Sequence, residues 1–77
     1  MIKAGQIYQE NSWLYAVTHI ESSMFPNMDR VFLILRNGSM MTEGVDVFKH
    51  EVVQGVVKLI AEYPTWQEAV NSKEFRE

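Results

Sequence analysis

The pair Asn37-Gly38 stands between two apolar stretches and constrains this fold more than any other feature of the sequence. Asn-Gly between apolar runs favours a type I′ turn of two residues, because both turn positions need a positive φ. The preceding stretch, residues 30–36, reads RVFLILR and is the most hydrophobic of the chain. This part of the sequence therefore predicts an antiparallel hairpin formed by residues 30–36 and 39–43.

Two consecutive methionines follow the turn and predict that both faces of the hairpin are apolar. Successive strand residues point to opposite faces of a sheet, so Met40 and Met41 cannot share one. A two-residue turn would place Met40 opposite Leu35, and Met41 opposite Ile34 on the face that also carries Phe32. The second face then needs a cover. We expect a C-terminal helix, through its apolar side chains, to supply it, and a second subunit is the alternative.

Four further segments complete the predicted secondary structure. Residues 4–9 form a short strand, and residues 13–20 form a longer one, because they are rich in aromatic and β-branched side chains. The region after the hairpin fits either one long helix or a short helix followed by a strand. We prefer a helix over residues 47–53 and a strand over 56–62, since Gly55 can end a helix and valine is a poor helix former.

Capping residues mark where the helices should begin. Asp46 is expected to cap the first helix, because its carboxylate can accept a free N–H of the first turn. Thr65 and Glu68 have the spacing of a capping box, in which the threonine hydroxyl accepts the N–H of Glu68. The pair Asn71-Ser72 is expected to divide the C-terminal helix into two short pieces. Trp66 and Val70 would anchor this helix to the sheet.

Taken together, these elements predict an α+β fold that is rich in β-structure and forms a single domain over residues 1–77. About five short strands would make a small, strongly curved antiparallel sheet, either an SH3-like barrel or a roll. A short helix would precede the last strand, and a helix would end the chain. A length of 77 residues allows one small domain, and a hydrophobic fraction of 47% is typical of a folded one.

Charge and composition argue against several classes of protein. The net charge is −3, and the seven basic residues are dispersed, whereas a surface that binds nucleic acid nonspecifically needs clustered Lys or Arg. The absence of cysteine excludes disulfides and cysteine-based zinc sites. No signal-peptide pattern and no apolar run near the ~20 residues of a membrane span is present in the sequence. We therefore expect a cytoplasmic protein that does not insert into a membrane.

The sequence offers no constellation for catalysis or metal binding. His50-Glu51 begins like a zinc-protease helix, but Gln54 stands where the second histidine is required. The other histidine, His19, has no identifiable metal ligands beside it. No serine has the surroundings of a nucleophile elbow, and the four glycines are too far apart for a phosphate-binding loop. We expect no catalytic residue, metal, cofactor or small-molecule substrate, and hence not an enzyme.

Apolar residues outside the predicted core supply the preferred functional hypothesis. Met24 and Met28 flank Phe25-Pro26 in the loop before the hairpin. Methionine is flexible, so it either fills gaps in a core or forms adaptable binding surfaces. The second interpretation predicts a non-catalytic protein-interaction module, a small accessory or regulatory protein of the kind that phages and mobile elements encode, which binds another protein or itself as a homodimer. The candidate contact residues are Met24, Phe25, Met28, Met41, Phe32 and Trp13.

A small-barrel nucleic-acid-binding protein is the alternative hypothesis. Trp13, Tyr15 and Phe32 could stack on bases, as aromatic residues do on the open sheets of many such proteins. The net charge of −3 weighs against this alternative. It requires four basic residues to share one face of the molecule, which are Arg30, Arg36, Lys49 and Lys58.

Overall fold

Five strands and three short helices follow one another in the computed structural model, which describes residues 1–25 and 27–76. They are β1 (Gln6–Glu10), β2 (Trp13–Glu21), β3 (Arg30–Leu35), β4 (Met40–Gly44), α1 (Val45–Val53), β5 (Lys58–Glu62), α2 (Trp66–Val70) and α3 (Lys73–Arg76). The strands form one antiparallel sheet in the order β4-β3-β2-β1-β5. The predicted α+β class is confirmed. Because β4 and β5 do not pair within the described part of the chain, the sheet is open and barrel closure is not confirmed.

The β3–β4 hairpin has a three-residue loop rather than the predicted two-residue turn. The Leu35 N–H donates to the Ser39 carbonyl at 2.8 Å, and the Gly38 N–H donates to the Leu35 carbonyl at 3.0 Å. Gly38 has a φ of +88°, whereas Asn37 is not among the described residues with a positive φ. A type I turn followed by one left-handed residue is the common form of a three-residue hairpin loop. The predicted type I′ turn is therefore wrong.

The extra loop residue changes the register of the hairpin by one position. Met40 pairs with Ile34, and Met41 pairs with Leu33. Met41 packs against the main core, while Met40 lies on the other face and is 54% exposed. The two methionines do lie on opposite faces, but the predicted faces are exchanged, because a one-residue slip turns every side chain of a strand to the other side.

A bulge in β2 reverses the alternation of its side chains. The paired residues of β2 step from Val17 to His19, which lies opposite Phe32, so Thr18 is the extra residue. Its hydroxyl donates to the Phe32 carbonyl at 3.2 Å. Ile20 therefore packs against the same core as Val17, and His19 lies on the other face. The regular alternation of faces along a strand therefore fails after Thr18.

The main core lies between one face of the sheet and α1. Phe48 of α1 is 1% exposed, and its ring meets that of Tyr8 edge-on with 4.9 Å between the centroids. The buried residues of this core are Ile2, Tyr8, Tyr15, Val17, Val31, Leu33, Val45, Phe48 and Val57. These side chains come from β1, β2, β3 and α1, together with Ile2 and Val57 in the connecting segments, so the core holds the sheet and helix together.

The expected division of the segment after the hairpin is confirmed. Helix α1 ends at Val53, Gly55 follows with a φ of +80°, and β5 begins at Lys58. The start of α1 differs from the prediction, because Gly44 occupies the N-cap position and no side chain caps the helix. Asp46 lies within the first turn instead, where a carboxylate still interacts favourably with the helix dipole.

The C-terminal helices cover part of the opposite face of the sheet. Their main contacts to the strands come from Ala69 and Phe75, with Val70 at the margin, while Trp66 is not part of this cluster. The Thr65 hydroxyl accepts the N–H of Glu68 at 3.2 Å, as the capping pattern predicts. The same chain thus supplies part of the expected cover, through Ala69, Phe75 and the predicted Val70 but not through Trp66.

The expected break between the two helical pieces is also confirmed. The Ser72 hydroxyl donates to the Ala69 carbonyl at 2.6 Å and accepts the N–H of Phe75 at 3.3 Å. It therefore ends α2 and begins α3.

Among the described residues, no helix is long and apolar enough to cross a membrane.

Candidate protein-contact surface

The loop between β2 and β3 exposes three large apolar side chains. Met24 is 90% exposed, Phe25 62% and Met28 60%. We refer to these three residues as the loop surface. Pro26, which the sequence marks as a turn residue, lies outside the described residues. Single exposed apolar residues are ordinary, but three on one short loop form a patch of the kind that partners cover.

Hydrogen bonds hold the backbone of this loop in place. The Ser23 N–H donates to the Asp29 carboxylate at 2.8 Å, and the Phe25 N–H donates to the Ser23 hydroxyl at 3.1 Å. The Met28 N–H donates to the Phe25 carbonyl at 3.3 Å. The Asp29 carbonyl accepts the N–H of Val45 at 2.9 Å, which ties the loop to the start of α1. The described residues on either side of position 26 are thus tied to one another and to α1 by hydrogen bonds.

A stacked pair of rings lies beside this loop on the face that carries the C-terminal helices. The imidazole of His19 and the ring of Phe32 are nearly parallel, with 4.3 Å between the centroids. His19 also lies 3.8 Å from the Glu21 carboxylate, and its Nδ1 is 3.1 Å from the Thr18 hydroxyl. Phe32 is half-buried. With Met40 at the outer edge, His19 and Phe32 form what we call the open strip.

The six predicted contact residues do not form one surface. Phe32 lies next to the loop surface, but Trp13 lies at the far end of β2. Since β2 has nine residues, its ends are roughly 26 Å apart. Met41 is partly buried against the main core, on the face of the sheet opposite Phe32.

Two members of the open strip, His19 and Met40, were not among the candidates. Both were missed because their faces depend on the bulge at Thr18 and on the three-residue hairpin loop. One sequence signal could have indicated Met40. Gly38 can be the last residue of a loop formed by positions 36–38, and a three-residue loop with glycine in its last position is the next most common hairpin connection.

The basic residues required by the nucleic-acid hypothesis are spread over the molecule. Arg30 lies on the face of the open strip, where it donates to the Thr42 hydroxyl at 3.0 Å. Lys49 belongs to α1, which packs on the other face. Arg36 lies in the β3–β4 loop, and Lys58 begins β5 at the opposite edge of the sheet. These four residues therefore do not share one face.

Three glutamates and one tyrosine interact where β4 and α1 meet. Burial raises the pKa of Glu43 to about 7, helped by a hydrogen bond and charge repulsion from Glu51 and by the charge of Glu10, while Arg30 acts in the opposite direction. Burial also raises the pKa of Tyr15 to about 12, and its hydroxyl donates to Glu10 at 3.1 Å. Over the described residues, no group of three or more acidic or histidine side chains is placed to bind a metal ion.

In comparisons with known proteins, no family model, no curated protein and no solved structure matches this chain. What the protein does must therefore be inferred from its own surface. The loop between β2 and β3 keeps Met24, Phe25 and Met28 exposed to solvent.

Proposed function

We propose that this chain is a non-catalytic protein-interaction module whose loop surface contacts another protein. The observation that carries the proposal is the exposure of Met24, Phe25 and Met28 on a loop whose described residues are held by hydrogen bonds. Burying one such side chain contributes ~1.5–3 kcal/mol. A loop already held by hydrogen bonds also loses less conformational entropy on binding, so more of this energy remains as affinity.

The open strip extends the proposed contact beyond the loop. Phe32 and His19 present a half-covered aromatic pair, and Met40 adds a flexible apolar side chain at the sheet edge. Aromatic residues and methionine are enriched in the cores of protein interfaces. The partner is either a different protein or a second copy of this chain, and the experiments below distinguish these two cases.

The proposal also covers what kind of protein this is. We infer a small accessory or regulatory protein of the type encoded by phages and other mobile elements, acting in the cytoplasm, where a chain without cysteine is at no disadvantage. We further infer a relationship to SH3-like barrels. A four-strand meander whose fifth strand returns to β1 after a short helix supports that relationship.

A protein partner is favoured over nucleic acid by the distribution of charge. The net charge is −3, and the basic residues that a phosphate backbone would contact lie on different faces and edges of the sheet. Phosphate binding depends on several cations acting together, so dispersed ones contribute little.

Photo-crosslinking from the loop tests the proposal. We expect a photoreactive phenylalanine analogue at position 25 to give one dominant product in a lysate of the source cells. The product would be a dimer if the chain binds itself and a heterocomplex if it binds another protein. The same analogue at Gln67, an exposed position on α2, is the control. A yield at position 25 no higher than at position 67 would contradict the proposal.

Substitutions in the loop provide a second test with a matched control. We expect the combined variant Met24→Gln, Phe25→Ser and Met28→Gln to abolish the dimer or heterocomplex that crosslinking identifies, because it removes the apolar area that drives association. Sedimentation velocity measures how much of that complex forms. The control variant Val47→Gln and Val53→Gln removes exposed apolar side chains from α1 instead. It should keep the complex. Equal behaviour of the two variants would show that the loop is not the contact.

A further inference from the structure

A depression of about 440 Å³ lies at the end of the molecule away from the loop surface. It is located between the β3–β4 turn and the C-terminal helices. Its apolar lining includes Ile34, Val70 and Phe75, and two arginines, Arg36 and Arg76, stand around it. This volume is within the range of ~300–1,000 Å³ that is usual for ligand sites.

The two guanidinium groups make only neutral hydrogen bonds among the described residues. Arg36 donates through Nη2 to the main-chain carbonyl of Arg76 at 2.8 Å. Arg76 donates through Nη2 to the side-chain oxygen of Asn71 at 2.7 Å. The ion pairs found in the described part of the chain involve neither arginine. Each guanidinium has five N–H donors in a fork that matches a carboxylate, and within residues 1–25 and 27–76 each uses one nitrogen, Nη2, in a side-chain hydrogen bond.

A second apolar depression, of about 250 Å³, adjoins the first. Leu35 and Arg36 line both depressions, and the exposed indole of Trp13 borders the second one. Arg36 therefore stands between a larger depression with a mixed polar and apolar lining and a smaller, mainly apolar one, with a second arginine nearby. Tryptophan and arginine are the side chains that most often dominate the energetics of protein interfaces. An extended segment that fills both hollows fits this arrangement better than an isolated anion does.

We propose that this end of the molecule binds an acidic peptide segment of a partner protein. A carboxylate of the segment pairs with Arg36 and Arg76, and apolar side chains on either side of it occupy the two depressions. The choice of an acidic segment follows from charge complementarity, since the site presents two cations on a chain whose net charge is −3. The site shares no residue with the loop surface, so it is separate from the function proposed above.

Selection from a library of random displayed peptides tests this inference for a partner of unknown sequence. We expect the wild-type chain to enrich peptides in which Asp or Glu stands next to Leu, Ile, Phe or Met. The fluorescence of Trp13 should change when a selected peptide is added as a synthetic compound. Replacing its acidic residue with the corresponding amide should weaken binding about tenfold or more. High salt should weaken binding as well.

A pair of charge-matched variants locates the binding site on the protein. Arg36→Gln with Arg76→Gln should weaken binding of the selected peptide about tenfold, because charge-assisted hydrogen bonds are lost. Lys49→Gln with Lys58→Gln removes the same charge from elsewhere on the molecule and should leave the affinity unchanged. The amide-substituted peptide tests the requirement for a carboxylate without any protein variant, so the inference can still be contradicted if the arginine variant does not fold.

Several results would overturn the inference. One is a selection without enrichment of acidic residues, and another is equal binding by the two charge variants. Competition by sodium acetate as strong as by the peptide would show a simple anion site. Loss of peptide binding in the loop variant, with the arginine variant unaffected, would assign the peptide to the loop surface. That outcome would support the proposed function while removing this inference.

Discussion

Among single residues, Glu43 has the most unusual environment. It lies on β4, at the edge of the sheet, and pairs with Val31 on the face of the main core. Burial and the neighbouring Glu51 raise its pKa to about 7. An inward-facing charge on an edge strand is one of the devices that discourage pairing with another chain. Glu43 therefore reduces stability near neutral pH but protects an open edge.

The raised pKa of Glu43 predicts how stability depends on pH. Its value of about 7 in the folded chain exceeds the ordinary 4.5, so folding favours the protonated form. The stabilising contribution is fully present below the ordinary pKa and is lost as the pH rises through about 7. We expect Glu43→Gln to unfold at a higher temperature than the wild type at mildly alkaline pH, and at nearly the same temperature in mild acid.

Thermal unfolding followed by circular dichroism across this pH range measures the effect. Glu74→Gln, at an exposed position in α3, is the control for removing one acidic charge. If the curve of Glu43→Gln against pH ran parallel to that of the wild type, the carboxyl group would not be protonated in the folded state near neutral pH.

The two adjacent methionines differ in how much they contribute to stability. Met41 is partly buried against the main core, whereas Met40 is largely exposed on the other face. We expect Met41→Ala to lower the free energy of unfolding by about 1–2 kcal/mol, through lost packing. Met40→Ala should change it by less than about 0.5 kcal/mol. Urea denaturation of both variants measures these free energies. A larger loss of unfolding free energy for Met40→Ala than for Met41→Ala would favour the predicted two-residue turn over the three-residue loop.

Among the elements, the strands and helix ends could be predicted from local sequence patterns, whereas the register of the hairpin depends on the length of its turn. The strand segments follow from alternating and β-branched residues, and each predicted strand overlaps an observed one. The ends of the helices follow from Thr65, Ser72 and Gly55, whose roles are local. The hairpin register is different, because Asn37-Gly38 is compatible with either loop length, and a difference of one residue exchanges the two faces.

Two glycines in connecting segments should respond differently to substitution. A Cβ on Gly5 would overlap the main-chain carbonyl of Tyr63, and Gly5 also has a φ of +93°. A Cβ on Gly38 would meet open space, so only its positive φ opposes substitution. We expect Gly38→Ala to cost about 1 kcal/mol. Gly5→Ala should cost several times more, because β5 must move away from β1.

Chemical denaturation of these two alanine variants measures the difference. Gly5 accepts the N–H of Tyr63 at 2.9 Å and donates to the Val17 carbonyl at 3.0 Å, so a displaced backbone here loses two hydrogen bonds. Equal costs for Gly5→Ala and Gly38→Ala would mean that the chain does not approach itself closely at this point.

At the scale of the whole molecule, the sheet is open and has β4 and β5 at its two edges. Its two edges are poorly suited to pairing with other strands. Glu43 places a charge on the inner side of β4, and β5 has a bulge at Ile60 beside Lys58. Bulges and charges of this kind are common protections of edge strands. The two proposed contact sites instead lie at opposite ends of the molecule, the loop surface at one and the arginine-lined depression at the other.

The sequence alone determined which elements exist and where most of them end, because those properties depend on local patterns. Strand alternation, the Thr65 cap and the break at Ser72 each involve residues within a few positions of one another. The tertiary structure decided which methionine enters the core, where β2 bulges and which side chains remain exposed. These features depend on packing between distant segments, such as Phe48 of α1 against the sheet, and burial of that face selects one register over its neighbour.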